Sequence, residues 1–190
     1  MNNLKKNLLD EKVVVVPTAT LPGLSVLYNS NKARQELSRI KNRPLDRNFI
    51  ILARDKGQVK DLFKLRFKLE EKLMDSFWPG ALTLVLDTDD GSTIAVRVDG
   101  NPLTRELVDA VGQPIISTSI NESGSSSLVD TKLIEQFSID NNVYFETKEY
   151  KESKNNESST LVRVESEEKI TLLREGLLWA KIQENFPFTS

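Results

Sequence analysis

Short apolar runs alternate along this chain with stretches that repeat apolar residues at helical spacing. Runs such as Val13 to Val16 and Asn48 to Ala53 are typical of strands covered on both faces. Asn29 or Ser30 and the Asn101-Pro102 pair are helix-start signals. The pattern predicts helices at 4–11, 31–40, 57–63, 67–77, 102–111 and 131–137, and strands at 13–16, 48–53, 81–87, 93–98, 114–118, 143–146, 161–164 and 170–173. Such interleaving indicates one α/β domain over residues 1–190, on a mixed twisted sheet.

Three polar segments interrupt this pattern. Pro17 to Gly23 breaks the chain after the first predicted strand, and Ser119 to Ser127 is rich in serine. Residues 148–158 are polar apart from Tyr150, which predicts a mobile loop. Because binding residues concentrate on loops, the function is to be sought in these segments.

Four cations lie within nine positions, from Arg39 to Arg47. Pro44 disfavours helical geometry at Arg43, so we expect Lys41 and Arg43 to leave the preceding helix in an extended segment. There they can converge on one polyanion, of which phosphate is the commonest. The alternative is a solvated helix end whose cations complement the helix dipole.

The composition narrows the chemistry available to such a site. The formal net charge is −2 and the pI is near 5.4, so an anion site has to be local. The chain has no histidine and no cysteine, which excludes thiolate nucleophiles and the usual neutral-pH base. No apolar run reaches transmembrane length and the N-terminus lacks a signal-peptide core. We therefore expect a cytoplasmic protein that works with cations, carboxylates, hydroxyls and backbone amides.

The side-chain chemistry and spacing of two groups of residues make them candidate ligand contacts. Arg97 lies between apolar neighbours in a predicted strand, and a buried guanidinium requires an anionic partner. Ser117, Ser119 and Asn121 alternate at period two, which places them on one side of an extended backbone. The same serines before a glycine also fit an ordinary turn.

Six segments, read in order, carry motifs of one protein family. They are PTATLPGL, KNRPLDRNFIIL, FWPGALTLVL, IAVRVDGNPL, PIISTSINESG, and STLVRV with LLREG. They resemble P-T-E-T-x-Y-G-L, K-x-R-P-x-(K/N), W-P-G-x-x-T, (I/L)-A-V-R-x-P-x-H-P, P-(I/L)-x-x-x-S-A-N-x-S-G, and S-T-(I/V) followed by L-R-x-G. Together they resemble the signature of the YrdC-like threonylcarbamoyl-AMP synthases, from about Val13 to Gly176.

The resemblance implies a twisted open sheet with flanking helices and a concave, positively charged cleft. It implies an enzyme that condenses L-threonine, bicarbonate and ATP to threonylcarbamoyl-AMP and pyrophosphate. A separate transferase complex then modifies adenosine in tRNA. Mg²⁺ is expected to arrive with ATP, and neither a tightly bound cofactor nor a membrane partner is implied. Possible further partners are tRNA or double-stranded RNA.

The resemblance also implies roles for individual residues. Lys41 and Arg43 become the catalytic pair that holds the nucleotide phosphates and the developing charge. The implied nucleotide contacts are Arg43, Arg47, Thr93, Ser119, Asn121, Ser127 and Arg174. The implied threonine contacts are Thr18, Thr20, Arg97, Ser117 and Ser159. Turn chemistry alone would also explain Thr18 and Thr20.

The chain departs from the family pattern mainly in the first loop. Ala19 stands at the position of the glutamate, Pro22 at that of the aromatic residue, and Leu52 where many members have histidine. The sequence thus predicts a synthase that is divergent in its threonine-binding loop. The alternative is a related, non-catalytic nucleotide- or RNA-binding protein.

Overall fold

Strands from both halves of the chain form one mixed sheet. The computed structural model describes residues 1–42, 49–121, 125–147, 150 and 157–187. In this part of the chain the strands are β1 (Val14–Val16), β2 (Gly23–Leu27), β3 (Ile50–Ala53), β4 (Leu82–Asp87), β5 (Thr93–Val98), β6 (Ile115–Ser119), β7 (Thr160–Ser166) and β8 (Lys169–Arg174). The helices are α1 (Asn2–Leu9), α2 (Asn31–Lys41), α3 (Lys56–Leu62), α4 (Lys68–Phe77), α5 (Pro102–Val111), α6 (Thr131–Asp140) and α7 (Trp179–Asn185).

The strand order is β1-β2-β6-β3-β5-β4-β7-β8. β3 with β5 and β4 with β7 are parallel pairs, and the remaining neighbours are antiparallel. The predicted α/β fold on a mixed sheet is therefore confirmed. The positive charge predicted for its cleft stays a prediction.

Several helices begin where the sequence places a capping side chain. Ser30 accepts a hydrogen bond from the Ala33 N–H, Asn101 from Leu103 N–H, and Asp130 from two amides of α6. Each cap satisfies amides that the helix leaves without a partner. These caps fix the start of α2, α5 and α6 as predicted.

Four local predictions differ from the structure. The strand predicted at 143–146 is wrong, since Tyr144 forms only an isolated bridge with Val14. The sequence interpretation missed β2 and α7. Lys41 is the last residue of α2, with Asn42 as a left-handed C-cap, so the expected extended segment at Lys41 is wrong. The end of the cation cluster from Arg43, and most of the predicted mobile loop at 148–158, lie outside the described residues.

Helices cover the two faces of the sheet unequally. One face packs against α2 and α6 through residues such as Leu37 and Ile134, and against α3, α4 and α7 through residues such as Leu73. On the other face α1 and α5 form a cluster that reaches Ile50 and Leu52 on β3. The described helices include none that is long and apolar enough to cross a membrane.

Candidate functional site

A cavity of about 220 Å³ opens on the face covered by α1 and α5. Its lining comes from the loop after β1, from β2, β3, β5 and β6, from the segment before β7, and from the end of β8. Eight predicted site residues lie in this lining: Thr18, Thr20, Arg97, Ser117, Ser119, Ser127, Ser159 and Arg174. The structure thus gathers at one place residues that are up to 156 positions apart (174 − 18).

The strand register explains this gathering. Gly23 pairs with Ser119 and Leu52 with Arg97, while Leu161 next to the cavity pairs with Arg174. Directly paired residues point to the same face of a sheet. Ser117 also pairs with Ile50, so polar and apolar side chains share one wall.

Arg97 is the most buried charged group of the cavity, with 3% of its surface exposed. Its Nη1 donates to Thr20 Oγ1 at 2.8 Å, and its Nη2 lies 2.6 Å from Asp99 Oδ2. Burial lowers the pKa of Arg97, and the charge of Asp99 opposes that shift. The anionic partner that a buried guanidinium requires is therefore present within the chain.

Arg174 supplies a second guanidinium at the edge of the same cavity. It donates to the backbone oxygen of Ser159 at 3.1 Å and to Ser159 Oγ at 2.8 Å. The Ser159 hydroxyl lies 2.7 Å from Thr83 Oγ1. Burial lowers the pKa of Arg174, and the positive charge of Arg97 lowers it further. The two guanidinium groups line one cavity, an arrangement that suits an anion.

The first loop is held by its own threonines. Thr18 Oγ1 donates to the Leu21 carbonyl at 2.6 Å and accepts from the Thr20 N–H at 3.1 Å. Both threonines are buried. The loop therefore has the hydrogen bonds expected of a turn, and its two threonines also line the cavity.

A close backbone approach shapes the wall next to this loop. Ser117 Oγ accepts a hydrogen bond from Ser25 Oγ at 3.0 Å. A Cβ at Gly23 would lie only 2.1 Å from Ser117 Oγ. Glycine at position 23 therefore leaves the space that the Ser117 side chain occupies.

Lys41 lies behind the cavity wall instead of in its lining. The residue is 1% exposed, and its ammonium donates to the backbone oxygens of Ser119 and Asn121 at 2.9 and 2.8 Å and to Asn121 Oδ1. Ser119 Oγ also donates to Asn121 Oδ1, at 2.9 Å. Lys41 therefore fixes the loop that follows β6.

The other predicted residues lie elsewhere. Thr93 is on the same face of β5 as Arg97, but it is exposed and pairs with Asp87 at the far end of the strand. Four residues along a strand span roughly 13 Å, so Thr93 is outside the cavity lining. Arg43 and Arg47 lie outside the described residues. Their roles, and those of the cavity residues, stay predictions.

Sequence reasoning missed several residues of the site. Leu21, Gly23, Ile50, Thr118 and Ser158 line the cavity, and Asp99 supports it from behind. Asp99 could have been found from the alternation rule, because it follows Arg97 by two positions. Among the described residues, no group of three His, Cys, Asp or Glu side chains could hold a metal ion.

The comparisons with known proteins agree with these motifs. A family model described as Sua5_yciO_yrdC, telomere recombination, matches residues 6–176. A Methanocaldococcus jannaschii protein provisionally named threonylcarbamoyl-AMP synthase is 30% identical over 182 residues, or 92% of this chain and 84% of that protein. The threonylcarbamoyl-AMP synthase of Bacillus subtilis is 34% identical over 130 residues, or 63% of this chain and 38% of the enzyme.

Solved structures show the same fold. P. abyssi Sua5 complexed with L-threonine has a TM-score of 0.84 and 26% identity, over 95% of this chain and 55% of that one. E. coli YciO has a TM-score of 0.78 and 22% identity, over 93% of this chain and 88% of that one. The chain thus spans nearly all of some relatives and about half or less of others.

Proposed function

Since this chain belongs to the Sua5/YciO/YrdC family, we propose that it is a threonylcarbamoyl-AMP synthase. It would condense L-threonine, bicarbonate and ATP to threonylcarbamoyl-AMP, pyrophosphate and water. The observation that carries this proposal is the shared cavity of Arg97 and Arg174. Two guanidinium groups beside hydroxyls and apolar side chains suit a small amino acid whose carboxylate is to be neutralised.

The cavity suggests how the amino acid would be held. The carboxylate would take donors of Arg97 or Arg174, and the hydroxyls of Thr20 and Ser117 would offer hydrogen bonds to the polar groups of the ligand. Leu52 and Ile50 would contact its methyl group. Such a site discriminates most strongly through polar groups that a wrong ligand leaves unpaired.

The nucleotide would lie next to this amino-acid site. Ser119, Ser127 and Arg174 line the shared cavity, so they are proposed to contact the adenylate. The phosphates are proposed to be bound, directly or through the loop after β6, by Lys41, Arg43, Arg47 and Asn121. The nucleotide substrate would be Mg²⁺-ATP. Because the attack is on the α-phosphate, these groups would act by positioning and by neutralising charge.

The proposal also implies a reaction class, a cellular location and a downstream partner for the protein. The reaction is a nucleotidyl transfer, carried out with a first loop in which Ala19 and Pro22 are unusual. It would take place in the cytoplasm, and its product would pass to the transferase complex that modifies tRNA.

The test is mass spectrometry of the products formed from Mg²⁺-ATP, labelled bicarbonate and L-threonine. The labelled carbon is expected in threonylcarbamoyl-AMP, together with one pyrophosphate per adenylate. Arg174→Gln should lower kcat/KM by roughly 100-fold or more, because it removes a charged donor from the site.

Arg163→Gln is the matched control. Arg163 lies on β7 and its partners are Asp87 and Glu165, so this variant should keep wild-type turnover. Pyrophosphate release that does not need L-threonine, or RNA binding without any turnover, would contradict the proposed function.

A further inference from the structure

Asp99 is a fully buried carboxylate directly behind the cavity. Its Oδ2 lies 2.6 Å from Arg97 Nη2. Its Oδ1 accepts from the backbone N–H of Ala19 at 2.9 Å and of Asn101 at 2.8 Å. One side chain therefore connects the cavity arginine, the first loop and the start of α5.

We propose that Asp99 is the positioning residue that sets Arg97 for the amino-acid carboxylate, an inference that rests on the proposed function. The Arg97 guanidinium is held on two sides, by Thr20 and by Asp99. By hydrogen-bond geometry neither its buried Nε–H nor Asp99 Oδ2 has a partner among the described residues, so Arg97 and Asp99 interact as an ion pair. Since guanidinium has five donors in a fixed plane and Arg97 lines the cavity, its remaining Nη donors can serve a ligand while Asp99 keeps the group in place.

The acidic residue at this site also occupies a different sequence position from the acidic residue of the family motif. The motifs above have glutamate at the position of Ala19 and proline at that of Asp99. In this chain the two positions touch, since the Ala19 N–H donates to Asp99. A Cβ at Gly100 would lie 3.0 Å from Ala19 Cβ. This chain thus carries an acidic residue directly after β5, at position 99, whereas the family motif has its acidic residue at position 19.

We expect a carboxylate at position 19 or at position 99 to serve the same arginine, because the backbone of residue 19 lies in contact with Asp99. One carboxylate compensates the buried charge of Arg97, whereas two would repel each other in a buried site. Asp99→Asn alone or Ala19→Glu alone should therefore impair binding of the amino acid, and the two substitutions together should restore it.

The experiment is a double-mutant cycle of Asp99→Asn and Ala19→Glu, with KM measured separately for L-threonine and ATP. Asp99→Asn should raise the KM for L-threonine by roughly tenfold or more and leave that for ATP within about twofold. Ala19→Glu alone should also raise the KM for L-threonine. The double variant should return to within about threefold of wild type.

Asp109→Asn is the matched control, because its partner Arg54 and its own side chain are exposed. If Asp99→Asn is too unstable to assay, the thermal midpoint of its unfolding is measured instead. Adding Ala19→Glu to this variant must then raise the midpoint. A double variant no better than Asp99→Asn, or an equal rise in both KM values, would overturn the proposal.

Failure of the proposed function would give a different result. In that case the wild type itself would form no threonylcarbamoyl-AMP. Hydrogen exchange at the amides of residues 19 and 101 would still test the contacts of Asp99, since Asp99→Ala must accelerate both. Unchanged exchange at these amides would overturn the positioning role independently of turnover.

Discussion

At the scale of single residues, Gly23 shows how little spare space the cavity wall contains. The absent side chain at this position leaves the volume that Ser117 Oγ fills. Ser117 is in turn fixed by the hydroxyl of Ser25. The wall therefore depends on a glycine and two serines that fit together as a set.

Gly23→Ala should lower the free energy of unfolding by about 1–3 kcal/mol, because the added methyl group overpacks the wall. Ser117→Ala removes the nearest obstacle, so the double variant should lose less than the sum of the single losses. Urea denaturation of all four proteins measures this coupling. Strictly additive losses would show that Ser117 is not what excludes a side chain at position 23.

At the scale of elements, α2 ends in a lysine that supports another segment. Lys41 donates to backbone oxygens of Ser119 and Asn121, which are 78 and 80 positions away. The C-terminus of a helix favours a cation, but here the ammonium is buried and bound to a loop. A loss of activity on mutating Lys41 would therefore have a structural cause in addition to the catalytic role proposed above.

Lys41→Met should lower the free energy of unfolding by about 1–3 kcal/mol, because it leaves the partly buried carbonyl groups of Ser119 and Asn121 without this donor. Hydrogen exchange should also become faster at residues 119–121. Lys32→Met, at the exposed start of the same helix, is the control and should change neither. Wild-type stability in Lys41→Met would indicate that the lysine serves only a ligand.

The contribution of Glu70 on α4 to the stability of the protein should depend on pH. Glu70 is buried, and its carboxylate accepts from the backbone N–H of Arg66 at 2.6 Å and of Phe67 at 3.0 Å. Burial raises the pKa of Glu70, while these two hydrogen bonds lower it in part. The folded protein therefore holds this proton more tightly than the unfolded chain, and the stability from Glu70 is lost as pH rises through the folded pKa.

Glu70→Gln keeps an acceptor for the two amides, as glutamine does in capping boxes, but it cannot ionise. Relative to wild type, its free energy of unfolding should increase as the pH is raised from 4 to 7. Urea denaturation at both pH values gives the comparison. A difference that is constant or shrinks over this range would contradict the raised pKa.

At the scale of the whole molecule, the cavity joins strands from both ends of the chain. Its lining extends from Thr18 to Arg174 and includes six of the eight strands that the structure describes, or the residues next to them. A ligand bound there contacts segments that come together only in the folded state. Binding should therefore stabilise the complete fold instead of one local region.

L-Threonine should raise the thermal midpoint, with a gain of about 2.7 kcal/mol at a concentration 100 times Kd. L-Valine has nearly the same shape but lacks the hydroxyl group, so its effect should be much smaller. Differential scanning calorimetry with each amino acid measures the difference. Equal shifts from the two ligands would argue against recognition by the hydroxyl-lined wall.

The sequence predicted most of the sheet because capping residues and β-branched runs act locally, whereas most of the cavity residues were predicted through the resemblance of the loop motifs to a known family. It missed β2 because Gly23 and Ser25 weaken the strand pattern, and only pairing with β1 and β6 makes the segment extended. The direction of the Lys41 side chain was also beyond local reasoning, since its partners are distant in the sequence. Thr93 was placed on the correct face of β5, but the length of the strand separates it from the cavity.

The edge pair β7–β8 has a consequence for biosynthesis. Ser158 and Ser159 precede β7, and Arg174 ends β8, so one side of the cavity is encoded late. A ribosome has to translate past codon 174 before the nascent polypeptide contains every group of the lining. Ligand capture is thereby postponed until β8 has been synthesised.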